Sequence, residues 1–376
     1  MIIGFDASKI PYPHRRGWGQ YSLQLIQALS RVDHANTYKL FYNHLRRASR
    51  QDMFRGPIPQ FKNRLIPLPA GILDRMWMNR EMPKIEWFLG RVDIFHSPFD
   101  RLPPARCRKL ATIHDLIYLR FPELHGESFY RDSSERLKKI CERADLIVAV
   151  SDNTREDICD FTRIPPERIR VVPDGVHERF RPAEQGDREH VLLRYNLPNA
   201  FLLYIGAATP HKNLDRLIEA FKILVDSGLT NYSLVFAGNL RWGYDHVMTK
   251  ARELGIWDKT RFLGYVPDPH LPALYSAATL FVFPSLYEGF GMPILEAMAS
   301  GTVVACSDIK VFREVAGEAA LFFDPERPEE ISSTVYRILY SSALREDLLR
   351  KGMERAEGFR WRHIAQRVVR LYEEIC

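Results

Sequence analysis

Two successions of short apolar runs, each run followed by a helical pattern, constrain this chain more than any other feature. The first holds "MIIGFDAS", "KLFYN", "VDIFHS", "KLATIHD", "ADLIVAVS" and "IRVVPDGV"; the second holds "FLLYIGA", "YSLVFAG", "TRFLGYV", "TLFVFPS", "TVVACSD" and "AALFF". Runs this short and this apolar read as strands buried on both faces. Strand–helix alternation gives a parallel sheet with helices on both sides. Between the two series, residues 179–199 break the alternation with charge and two prolines, and read as a linker plus the first helix of the second half. At 376 residues the chain exceeds the ~250 at which a single core stops growing. The expected fold class is α/β: two doubly wound Rossmann-like domains, residues 1–180 and 181–357, facing across a cleft.

Most first-series runs end in His, Asp or Ser, so polar side chains gather at strand C-termini, where open α/β sheets bind ligands. No stretch reaches the ~20 apolar residues of a membrane span, and the N-terminus turns polar too soon for a signal peptide. A cytoplasmic protein is expected. Five scattered cysteines, with no CxxC or His/Cys spacing, suggest neither a disulfide framework nor a zinc site. The net charge of +6 is spread along the chain and argues against a nucleic-acid partner. One local excess, Arg46, Arg47, Arg50, Arg55, Lys62 and Arg64 with Met53, Phe54 and Phe61 interleaved, suits either a solvated basic loop and helix face or contact with an anionic membrane surface or phosphate-bearing acceptor.

The stretch "SLYEGFGMPILEAMASG", residues 285–301, carries Glu288 and Glu296 eight positions apart, with two glycines and a proline between them. Pro293 suits a first helical turn and Gly301 the position past its end, so a helix is expected from about Pro293 to Ser300. Glu296 then falls in its first turn and Glu288 on the preceding loop. The spacing alone is compatible with two ligand-binding carboxylates, or with a helix-dipole partner and a surface acid. A dinucleotide-binding reading of "GWGQY" fails, because Ser22 stands where GxGxxG needs a third glycine or alanine after Gly17 and Gly19, and no acidic residue ends a second strand in the usual way.

Taken together, "EGFGMPILEAMASG", "GWGQY", "TIHDL", "ADLIVAVSDNTREDI", "VVPDGV", "YIGAATPHKNLDRLIEAF", "RFLGYVPDPHLPALYSAATLFVFPS" and the terminal "W" helix resemble the retaining GT-B glycosyltransferases of family 4 over nearly the whole chain. The resemblance implies a nucleotide-sugar donor on the second domain and a glycan or lipid-linked acceptor on the first. It implies that Glu296 binds the ribose hydroxyls and that Glu288 lies beside the donor sugar. The amides of Gly289, Phe290, Gly291 and Met292 would approach the sugar hydroxyls, and the backbone at Val266 the base. Lys212, after Gly206 in "YIGAATPHKN", matches the lysine that holds the diphosphate. His114 would reach the donor sugar near the reacting carbon, Gly17 and Gly19 would face the donor phosphates and acceptor, and Arg15 and Arg16 would lie on the acceptor side. The resemblance also implies that residues 358–376 form a helix crossing back onto the first domain.

One departure is plain: where many relatives carry an arginine, this chain has Ala207 and His211. No Asp-x-Asp occurs, so neither a metal nor another cofactor is expected. By resemblance the favoured activity is retaining transfer of a hexose, mannose from GDP-mannose, in bacterial polysaccharide or lipopolysaccharide assembly. The alternatives are a UDP-sugar-dependent transferase, a nucleotide-sugar epimerase and a catalytically weak nucleotide- or glycan-binding scaffold. Peripheral contact with the inner membrane is compatible with any of the transferase readings.

Overall fold

A computed structural model describes residues 1–10, 17–43, 53–54, 59–240 and 243–376. Arg15, Arg16, Arg46, Arg47, Arg50 and Arg55 lie outside the described residues. The chain forms two compact units, Met1–Gly175 with Trp361–Cys376, and Val176–Arg360.

The first unit is built on seven parallel strands: β1 (Ile2–Asp6), β2 (Thr37–Asn43), β3 (Phe61–Ile66), β4 (Ile94–Ser97), β5 (Arg108–Ile113), β6 (Leu146–Ala149) and β7 (Ile169–Val171), in the order β3-β2-β1-β4-β5-β6-β7. One face packs under Tyr21, Leu25, Ile26 and Leu29 of the helix Trp18–Val32. The helix Trp361–Ile375 lies along that helix and buries Trp361, Ile364, Ala365, Val368, Leu371 and Tyr372. Its apolar residues recur three and four apart, so one stripe meets the core while the arginines between them stay outside.

The strand β3 was not foreseen. Lys62 and Arg64, read as part of a basic loop and helix face, stand on this edge strand with their side chains exposed and the residues between them half-buried. Charged side chains on an edge blunt pairing with other chains, which masks the apolar pattern of the strand.

The second unit holds β8 (Phe201–Ile205), β9 (Ser233–Ala237), β10 (Thr260–Phe262), β11 (Leu280–Phe283), β12 (Val304–Ser307) and β13 (Ala320–Phe323), all parallel, in the order β10-β9-β8-β11-β12-β13. Residues 201–204, 234–236, 280–283 and 304–306 are almost wholly buried, as strands covered on both faces must be. The strand order reverses between β8 and β11. At such a switch point the following loops diverge to opposite faces and leave a crevice at the strand C-termini.

Candidate functional site

The second unit places its predicted residues at that switch point. Gly206 follows β8, and its carbonyl accepts from the Tyr244 hydroxyl at 3.0 Å. The chain then turns through the short helix Pro210–Lys212, which Asn213 anchors by donating from its side-chain amide to the carbonyls of Pro284 (3.1 Å) and Pro325 (2.7 Å). The loop after β8 is thereby tied to the loop after β11. Leu286 N–H donates to the His211 carbonyl at 2.8 Å and adds a second tie.

These ties bring Lys212 and Glu288 together, 76 residues apart in sequence. Lys212 Nζ pairs with Glu288 Oε1, which also accepts from Ser285 Oγ at 2.8 Å. Both side chains are mostly buried, and the ammonium lies 5.6 Å from the centre of the Phe283 ring. A cation held in a recess by one carboxylate is well placed to change partner when a more highly charged anion arrives, because a diphosphate offers it more charge than Glu288 does.

The helix beyond runs Met292–Ala299, one residue earlier than expected, with Gly291 before it at φ +115°, a conformation only glycine adopts readily. Glu296 is therefore one full turn into the helix rather than in its first turn, too deep to complement the helix dipole there. Its carboxylate accepts from the Tyr275 hydroxyl at 3.0 Å. Burial pushes its pKa up to about 7, against the opposing pull of that hydrogen bond and of Arg179. Gly289 and Phe290 complete the loop, with the Phe290 side chain packed in the interior. The first amides of a helix have no intrahelical acceptor, so Met292 and its predecessors turn donors toward whatever lies before the helix. Val266, in the segment after β10, is buried.

In the first unit His114 follows β5. Its Nε2 lies 2.9 Å from the Pro98 carbonyl, which only accepts, so Nε2 carries the hydrogen and Nδ1 is the acceptor of the neutral ring. Nδ1 faces Asp174 Oδ1 at 3.9 Å, and the Tyr21 ring meets the imidazole edge-on at 4.6 Å. Burial raises the Asp174 carboxyl to about 6. Behind this group, the buried His96 sits between the Tyr372 hydroxyl (2.8 Å) and Thr112 Oγ1 (3.0 Å), its pKa pushed down to about 3 by burial and by His114. Gly17 immediately precedes the helix that carries Gly19, so the two glycines belong to a helix start.

Tyr275, Ser285, Asn213 and Asp174 were not foreseen, although "ALYSAA" and "VVPDGV" contain two of them. Tyr275 reaches Glu296 from the helix Leu271–Ala277, and Asn213 and Asp174 act on residues distant in sequence, so no local spacing marks them; Ser285 bonds Glu288 within one loop.

Residues 190–355 match the family described as "Glycosyl transferases group 1", and residues 15–180 match "Glycosyltransferase Family 4". The chain is 32% identical to the O-antigen chain mannosyltransferase B of Escherichia coli, over 99% of this chain and 100% of that one. In structure it is similar to sucrose-phosphate synthase from Thermosynechococcus elongatus, with a TM-score of 0.77 and 20% identity over 99% and 98% of the two chains. It is also similar to HepE of Anabaena, solved with UDP-glucose, with a TM-score of 0.73 and 15% identity over 100% of both. Likeness at that identity establishes the GT-B fold. With both halves matched and one relative 32% identical across its full length, the chain belongs to the family 4 glycosyltransferases and is a glycosyltransferase.

Proposed function

We propose that this glycosyltransferase moves mannose from GDP-mannose to a glycan or lipid-linked glycan acceptor, with retention of the anomeric configuration and without a metal ion. The pairing of Lys212 with Glu288 at the loop after β11, with Glu296 buried in the helix that follows that loop, supports the donor site most directly. The similarity to an O-antigen mannosyltransferase supports the sugar and the acceptor class.

In this reading the nucleotide ribose binds Glu296, whose two oxygens accept from both hydroxyls, with Val266 beside the base. The diphosphate takes Lys212 from Glu288, and the released carboxylate turns to the sugar hydroxyls beside the amides of Gly289 to Met292. The acceptor hydroxyl oxygen attacks C1 on the face from which the diphosphate leaves. The C1–O bond breaks with its electron pair going to the phosphate, and the leaving oxygen takes the acceptor's proton. Lys212 and the helix amides stabilise that developing charge, the work a metal would otherwise do. His114 contacts the donor sugar, and His211, cationic only as imidazolium, adds to the phosphate site in place of an arginine.

A lipid-linked acceptor puts the reaction at the cytoplasmic face of the inner membrane, where exposed Ile72, three residues before exposed Arg75 on one helix, suits peripheral contact. No helix among the described residues is long and apolar enough to cross a membrane.

The test is transfer from GDP-mannose and from UDP-glucose to an α-mannoside acceptor, with and without EDTA, the product linkage being read by NMR. An α-linked product from GDP-mannose, unaffected by EDTA, is expected, and Lys212→Ala should slow transfer by about 10²–10³-fold, the usual effect of losing one such charge-stabilising group. A β-linked product, or a metal requirement, overturns the mechanism; use of UDP-glucose alone overturns the donor.

A further inference from the structure

The first unit carries a pocket of about 230 Å³ that, His114 apart, holds none of the residues assigned to the donor. Its floor is Thr112, Ile113, Leu137 and Ile140, and its rim is Trp18, Phe129, Tyr118, Asp100 and Asp115, with His114 at one side. Phe129 stands more than half exposed at the rim, edge-on to Tyr118 at 6.3 Å. Asp100 is half-buried, and among the described residues its carboxylate makes no hydrogen bond and no ion pair. Burial raises its pKa, although Arg136, Lys9 and Arg101 pull it down, and hydroxyl donors relieve the remaining cost of burying a carboxylate. The volume is below the ~300–1,000 Å³ of clefts for drug-sized ligands, so it suits one ring.

We propose that this pocket binds the terminal pyranose of the acceptor glycan, with Asp100 accepting from neighbouring hydroxyls and Trp18 and Phe129 packed against the C–H faces of the ring. The aromatic rim supplies apolar area and the acid supplies orientation, the combination a pyranose requires. Having His114 in the wall sets the acceptor sugar beside the residue assigned to the donor sugar. The proposal rests on the transferase reading for the identity of its ligand.

Saturation-transfer NMR with methyl α-D-mannopyranoside and an α-linked mannotriose tests it, on wild type, Asp100→Asn and Phe129→Ala. Wild type should show transfer to ring protons, and each variant should bind at least about tenfold more weakly, the cost of one lost charged or stacking contact. The thermal shift produced by GDP reports folding and the second unit independently, and should persist in both variants. Equal binding by the variants, or no binding by wild type while GDP still shifts its melting, overturns the pocket. Saccharide binding without any nucleotide shift upholds the pocket as a saccharide site and contradicts the donor reading.

Discussion

If Glu296 binds the ribose as proposed, one residue sets function against stability. Burial holds its pKa near 7, whereas an unfolded chain leaves a glutamate near its usual 4.5. The folded state therefore binds this proton more tightly. The associated stability is fully present below pH 4.5 and is lost as pH rises through 7. Glu296→Gln removes the charge, so the variant should melt level with wild type at pH 4.5 and above it at pH 8. Ribose hydroxyls favour the ionised carboxylate, so wild-type nucleotide affinity should rise between pH 5.5 and 7.5 and release a proton, and the variant should lose that rise. Calorimetry in buffers of different ionisation enthalpy checks both. The carboxylate pair was legible in the sequence, but the depth of Glu296 was not, because Gly291 starts the helix one residue before Pro293.

At the scale of elements, the loop after β8 depends on the end of β9. A Cβ on Gly238 would stand 1.8 Å from the Gly206 carbonyl oxygen, a collision with backbone that no side-chain rotation relieves. Gly238→Ala must push the two strand ends apart. Overpacking of this kind typically costs ~1–3 kcal/mol, and the displacement carries Lys212 with it. Both a lowered melting temperature and weaker nucleotide binding are expected; a variant matching wild type in both would show that this contact positions nothing. All six strands of the second sheet were legible as apolar runs; the four inner ones are almost wholly buried, and the edge strands β10 and β13 are half-buried. In the first sheet β3 escaped notice, since its outward positions carry Lys62 and Arg64. The partners Tyr275, Asn213 and Asp174 escaped for another reason: parallel strands bring distant residues side by side, and a local pattern contains no record of which.

At the scale of the whole molecule, the chain's last helix completes the first unit's core rather than the second's. Six side chains of Trp361–Ile375 are buried there, and the Tyr372 hydroxyl satisfies the buried His96. Burying a large apolar side chain contributes about 1.5–3 kcal/mol, so their sum is comparable to the ~5–15 kcal/mol that stabilises a typical domain. A chain ending at Phe359 should lose the first unit's cooperative melting, while the second unit keeps its own. Unchanged calorimetric melting would contradict this division.

In the proposed function the second unit holds the nucleotide sugar through Glu296 and Lys212 without a metal. The most direct measurement is the thermal shift with GDP, UDP, ADP and dTDP, each with and without magnesium, on wild type and Glu296→Ala. A clear shift with GDP is expected, equal with and without magnesium and weakened in the variant. A shift that requires magnesium, or one that Glu296→Ala leaves intact, would contradict it.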